Sequence, residues 1–378
     1  MKRELEIDAA RGLMLAWMTL THLPTALTPW VNQPFGYISA SEGFIFLSAL
    51  FTGRIYHRLL TRDGLPKMSS TLWLRTLRLY GYHLLLLIVA ILISAYFTAV
   101  SHGQGLRNLL DFYFAANHGR AILDAVFLLY RPPLLDIVPL YIIFLLLAPV
   151  LIFAASRFGW KPLIGISFVV WLTAQFGLRE ALYSVLVYRF GLRVPLNEMG
   201  AFNLWAWQLV WVLGVWAGVR WAKNDLPVEN FAKRLWVPAA FIAAALLALR
   251  YWQIFGLDLG RLSVLFDKWQ LGVVRLINFT AVAVLLIQFR AFVKPLAIRP
   301  LVLMGQSSLQ VFCTHFVFCF IGIGMMGSAA RIYGWPQFAL IALTFAALLI
   351  VAKLHAKPEP AANTSPGREP RPPVLPPV

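Results

Sequence analysis

Apolar positions along this chain gather into long runs separated by short polar stretches. The runs cover roughly Ile7–Leu27, Ser41–Tyr56, Leu72–Val100, Ile137–Ala155 and Pro162–Gly177, then Phe202–Trp221, Trp236–Tyr251, Leu271–Phe289, Leu301–Gly324 and Trp335–Leu354. Most come close to the roughly 20 residues a helix needs to cross a bilayer. Inside hydrocarbon every backbone N–H and C=O needs a partner within the protein, so such runs fold as helices. The pattern predicts an all-α polytopic membrane protein, a bundle of about ten transmembrane helices. The first run already holds Asp8 and Arg11, unlike the apolar core of a cleavable signal. One transmembrane domain over 1–355 is expected. Residues 356–378 are rich in Pro and lack an apolar period, which predicts a disordered cytoplasmic tail.

Composition agrees with a membrane protein. Hydrophobic residues make up 60% of the 378 and charged ones only 13%, about half the usual share in a soluble domain. The net charge of +17 is mostly a topology signal. With the N-terminus inside and ten crossings, inner segments hold 22 of the 33 Lys and Arg and outer segments 11. That excess predicts both termini in the cytoplasm. No basic patch sits on a separate domain, so nucleic acid is not an expected partner. Cys313 and Cys319 are too few for a disulfide framework, and no cluster has metal-ligand spacing. The outer stretch from Arg107 to Asp136 mixes three Arg and three Asp with Phe112, Tyr113 and Phe114. Such a mixture suits sugar binding and equally suits an interfacial aromatic belt.

Ionisable groups within membrane runs are costly and mark function. Asp8 and Arg11 are i,i+3 neighbours that can pair. Arg11 and His22 are eleven residues apart, close to three whole turns, so they share a helix face about 16 Å apart along the axis. Glu42 opens the second run at the outer depth expected for His22, where a carboxylate can orient an imidazole. Ser308 and His315 are two turns apart on one face of the ninth run, which brings His315 to the outer half as well. An imidazole with such helpers is the arrangement a general base needs to take a proton from a hydroxyl. Equally, Asp8 and Arg11 can snorkel with His22 at the interface, Glu42 can serve the helix dipole, and the Ser308–His315 stripe can be interhelical hydrogen-bond glue. Arg75 and Arg78 lie at the inner start of the third run. They can hold phosphates or simply obey the positive-inside rule.

Several segments together resemble a known family. Ile7-Asp8-x-x-Arg11-Gly12 followed by His22 is similar to the signature of transmembrane acyltransferases. His22-Leu23-Pro24, Ser41-Glu42-Gly43-Phe44, Leu135-Asp136-Ile137-Val138-Pro139, Asn203-Leu204-Trp205-Ala206-Trp207-Gln208, Asp267-Lys268, Arg275-Leu276-Ile277-Asn278-Phe279 and Ser308-Leu309-Gln310-Val311-Phe312 resemble the OpgC family of periplasmic glucan succinyltransferases. Thr21 stands where that family often has Asp, and Ala49 where it tends to have Gly. The resemblance implies transfer of an acyl group from cytoplasmic succinyl-CoA or acetyl-CoA, a cosubstrate rather than a bound cofactor, to a hydroxyl of a periplasmic glycan. His22 would be the base, helped by Glu42 or His315. Arg11, held by Asp8, would meet the acyl-CoA together with Arg75 and Arg78. Asp136, Trp207, Gln208 and Arg275 would meet the glycan. The rival reading is a proton-coupled transporter or a flippase for lipid-linked glycans, since Asp, Arg and His within a membrane also serve proton relays.

Overall fold

The computed structural model describes residues 5–101, 104–115, 117–225, 228–254, 256–326 and 331–356. The tail from Lys357 lies outside them. Among the described residues the regular secondary structure is helical apart from a single bridge between Thr25 and Ile332. Eleven of the twelve helices of eight or more residues among the described residues matter here. They are α1 (Leu5–His22), α2 (Ala40–Ser101), α3 (Ile137–Phe158), α4 (Trp160–Ala174), α5 (Leu178–Phe190), α6 (Leu204–Ala222), α7 (Val228–Ile254), α8 (Val273–Gln288), α9 (Arg299–Gln306), α10 (Ser308–Met326) and α11 (Trp335–His355).

Among the described residues six helices are long and apolar enough to cross a membrane, or up to eight when each sharply bent pair counts as one span. This is fewer than the ten runs of the sequence, for physical reasons. α1 carries Glu6, Asp8 and Arg11 and is too polar to pass on composition alone. The stretch Ala40–Val100 counts once although it has 61 residues. As a straight rod it would run about 90 Å, three times the hydrocarbon thickness. It does not run straight. Gly64 adopts φ 80 and ψ 175, a conformation open essentially to glycine alone, and Pro66 follows. The corner divides α2 into one leg over 40–63 and another over 65–101. The remaining bends are α4 against α5, at 78°, and α8 against the short helices after it, at 76°.

The core lies where α2, α3 and α6 meet. Trp207 and Trp211 of α6 and Phe144 and Leu140 of α3 are buried there, with Phe144 stacked on Trp211 at 5.3 Å between ring centroids. Small residues draw α2 and α6 together. Gly218 faces the Leu50 carbonyl, and Ala49 lies against Gly214. Membrane helices gain their association from such close packing, because lipid already solvates apolar side chains. For the same reason large apolar residues stay exposed on the outside, among them Leu92, Phe153, Phe241 and Ile350.

α1 and α9 meet backbone to backbone. A Cβ on Gly12 would stand 1.9 Å from the Leu301 carbonyl oxygen, and one on Gly305 would stand 1.8 Å from that of Asp8. α9 then breaks at Ser307, and α10 continues from Ser308. The Ser307 hydroxyl donates to the Ala352 carbonyl of α11 at 3.1 Å, so the break is tied to a neighbouring helix.

This contact predicts an asymmetric response to added volume. Gly12→Val forces backbone apart and should destabilise the detergent-solubilised protein by at least about 1–3 kcal/mol. Gly165→Val, at a position with nothing within 4 Å, should leave thermal unfolding unchanged. Equal melting of the two variants would refute the contact.

Candidate active site

The polar stripe of α1 meets α10 at two levels. At the lower level Arg11 donates from Nη2 to the hydroxyl of Ser308. Its guanidinium also lies over the Phe51 ring, 5.1 Å from the centroid. The Nε of Arg11 is buried and has no hydrogen-bond partner among the described residues. Arg75 is close enough for its charge to act on Arg11, as is Asp8. Arg75 donates from Nη2 to the Tyr141 hydroxyl at 3.1 Å, and Tyr56 lies beside it. Two guanidiniums and two phenols therefore converge on one place, a donor-rich setting suited to phosphate or carboxylate oxygens. Arg78, one turn further along α2, is exposed and stands apart from that group.

At the upper level the Nδ1 of His22 faces the Nε2 of His315 at 3.3 Å. The two rings stack at 20° with centroids 5.5 Å apart. His315 is fully buried, and its Nδ1 makes no hydrogen bond of ordinary geometry among the described residues. Phe316 packs on both rings, 5.9 Å from His22 and 4.1 Å from His315. Phe312 stands edge-on to His315 at 5.2 Å and stacks on Phe44 at 5.7 Å. Phe44 in turn reaches Tyr141 at 6.5 Å. An aromatic strip thus links the imidazole pair to the guanidinium pair.

Glu42 does not orient His22. It is fully buried and directs both oxygens elsewhere. Oε1 accepts from Arg275 Nε at 2.8 Å and also from Arg275 Nη2. Oε2 accepts from the Ser39 amide at 3.0 Å and the Ser39 hydroxyl at 2.6 Å. The partner of His22 is His315, and Glu42 ties α2 to α8 through an ion pair 1% exposed on each side. Arg275, expected at the glycan, is taken up by that pair. Trp207 is fully buried, with its indole N–H donating to the Trp269 carbonyl at 3.1 Å. Gln208 bridges to α4, donating to the Ser167 carbonyl at 2.7 Å and accepting from the Ser167 hydroxyl at 2.6 Å. These three side chains bind other parts of the protein.

Asp136, just before α3, is buried and accepts from the Ala201 amide at 2.9 Å. Burial pushes its carboxyl up to about 6, against the pull of the Ala201 N–H and of Lys268 and Arg131. Lys268 is the residue that sequence reasoning left without a role. Its charge reaches His22 as well as Asp136 and Glu42. The signal was the Asp267-Lys268 motif, but spacing along the chain gives no hint that this loop comes back to α1.

A family model described as OpgC protein matches residues 3–359. No curated protein and no solved structure matches the chain.

The Glu42–Arg275 pair yields a prediction that separates a structural ion pair from a substrate site. Removing one partner leaves a buried charge uncompensated and costs about 3–5 kcal/mol, whereas replacing both with apolar residues of similar size is often close to neutral. Thermal unfolding of Glu42→Leu and Arg275→Met should each show a large loss, and the double variant should recover most of it. Additive losses in the double variant would contradict this account.

Proposed function

The chain belongs to the OpgC family, a family of multi-pass membrane acyltransferases related to glucan succinylation, and on that premise we propose a direction and a mechanism for the transfer. The acyl group, succinyl in the first instance, comes from acyl-CoA in the cytoplasm and ends on a hydroxyl of a periplasmic glycan. The charge count supports ten crossings with both termini cytoplasmic, in a single domain over 1–355. The corner at Gly64 supports counting α2 as two of them. In this topology Arg11 and Arg75 lie toward the cytoplasm and His22 toward the periplasm.

The observation that carries the reading is the double meeting of α1 with α10. Arg11 with Ser308 and His22 with His315 stand about 16 Å apart along α1 by helix rise. Arg11 and Arg75 hold phosphate oxygens of the donor at the inner level, with Asp8 limiting the repulsion between them. The pantetheine arm extends along the aromatic strip and carries the thioester to the outer level.

There His22 acts as the base. For its Nε2 to accept a proton, its Nδ1 must carry one and donate to His315 Nε2. His315 then keeps its own proton on Nδ1. The glycan hydroxyl gives its proton to His22 Nε2 as its oxygen bonds to the thioester carbonyl carbon. The tetrahedral intermediate collapses with cleavage of the C–S bond, and the imidazolium returns the proton to the CoA sulfur. Atoms and charge balance without a further reactant.

The test is the His22→Gln variant, which keeps size and hydrogen bonding but cannot serve as the base. Transfer from succinyl-CoA to glucan in membrane vesicles should fall about 10²–10⁴-fold, with membrane insertion unchanged. Near-normal transfer would remove His22 from the reaction. Glycan translocation that is indifferent to acyl-CoA would favour the transporter reading.

A further inference from the structure

The loop before α8 carries a cation that the reaction above does not use. Residues 269–271 are fixed by hydrogen bonds to two other parts of the chain. The Trp269 carbonyl accepts from the Asn203 amide at 3.0 Å and from the Trp207 indole at 3.1 Å. The side chain of Gln270 accepts from Asn203 at 2.6 Å, and its carbonyl accepts from Gln175 at 2.9 Å. The Leu271 carbonyl accepts from the Trp171 indole at 3.0 Å. Lys268 stands at the start of this pinned segment, so its position is set by α4, α6 and the turn before α6. Its ammonium lies 4.7 Å from the centroid of the Trp269 ring and 5.7 Å from that of Phe202.

What Lys268 lacks is an anion. Among the described residues no carboxylate comes within ion-pair distance of its Nζ. The acids around it are engaged. Asp267 accepts from the Gln270 amide at 2.7 Å. Asp136 accepts from Ala201, and Glu42 has both oxygens filled by Arg275 and Ser39. Lys268 is half-buried, and burial pulls its ammonium below the ordinary lysine value. A partly desolvated cation with no counter-ion is unfavourable unless a ligand supplies one. Its field reaches the His22 ring, where the acyl carbonyl must sit at transfer.

We propose that Lys268 binds the distal carboxylate of the transferred acyl group and thereby selects a dicarboxylic donor such as succinyl-CoA over acetyl-CoA. The inference rests on the acyl-transfer reading and adds to it a specificity-determining residue. A succinyl chain places its carboxylate about 5 Å from the carbonyl under attack, by standard bond lengths. Lys supplies a compact charge on a flexible stem, and the aromatic rings around it confine that stem. Acetyl has no group to offer, so its transfer leaves the ammonium unpaired. A site built around a polar partner discriminates strongly against an analogue lacking it.

The experiment compares two donors, succinyl-CoA and acetyl-CoA, with glucan as acceptor in membrane vesicles. Wild type should prefer succinyl-CoA. Lys268→Met should lower kcat/KM for succinyl-CoA roughly 10- to 100-fold and change that for acetyl-CoA less than about threefold, while Lys268→Arg keeps most of the succinyl transfer. Retained acetyl transfer shows that the variant is folded. Equal losses with both donors, a raised KM for glucan alone, or an acetyl preference in wild type would overturn the assignment of Lys268 while leaving acyl transfer intact. No transfer from either thioester by wild type would overturn the acyl-transfer reading itself, and this inference with it.

Discussion

Two glycines let α1 and α9 touch backbone to backbone, and the polar stripe of α1 depends on that contact. With a Cβ at Gly12 or Gly305 the helices would separate. Arg11 would lose Ser308, and the break at Ser307 would no longer deliver α10 against the upper half of α1. A guanidinium and an imidazole in a membrane helix are expensive to bury. The close crossing supplies their partners from a single neighbouring segment, at two levels three helical turns apart. Membrane helices associate through close packing and interhelical polar bonds, and here the two contributions come from the same contact.

The end of the bundle that holds Glu42 is organised by a different constraint. The Glu42 carboxylate and the Arg275 guanidinium satisfy one another in full, with Ser39 taking the remaining oxygen. This closes α2 against α8 and leaves that pair with no net charge for a ligand. Asp136, its carboxyl raised by burial, holds the Ala201 amide. Once these acids are committed, Lys268 has no carboxylate within ion-pair distance among the described residues, and its charge reaches His22. A neutral pair builds the wall, and Lys268 is the cation to which we assign the anionic end of the acyl group.

The helical periodicity of the sequence carries much of this. A spacing of eleven residues from Arg11 to His22 and of seven from Ser308 to His315 puts each pair on one face, and in the structure those two faces meet. Long apolar runs likewise locate the helices, because a bilayer permits little else. What the runs hide is where a helix turns or breaks. The corner at Gly64 and the break at Ser307 are single-residue events within helical stretches, and hydropathy averages over them. Partner choice is also hidden when several candidates lie at one depth. Glu42 and His315 were both within reach of His22 on depth alone, and the decision came from Arg275, more than two hundred residues away, which claims the carboxylate. The family resemblance assigns Trp207 and Gln208, an aromatic and an amide side chain, to the glycan. The same groups serve equally well as interhelical glue, and their hydrogen bonds to Trp269 and Ser167 follow from packing that no local pattern records. Lys268 escaped notice for a related reason. A lysine in a loop is unremarkable until tertiary structure shows no carboxylate within ion-pair distance of it among the described residues.

The central claim is vectorial transfer along α1, with the donor held at the Arg11 level and the acceptor at the His22 level on the opposite side of the membrane. Membrane vesicles of defined orientation test it most directly. Inside-out vesicles expose the cytoplasmic face, so labelled succinyl-CoA added outside should acylate glucan enclosed in the lumen. Right-side-out vesicles given the same donor outside should leave enclosed glucan and external glucan unlabelled. Labelling of external glucan by donor supplied on the same periplasmic face would contradict the account.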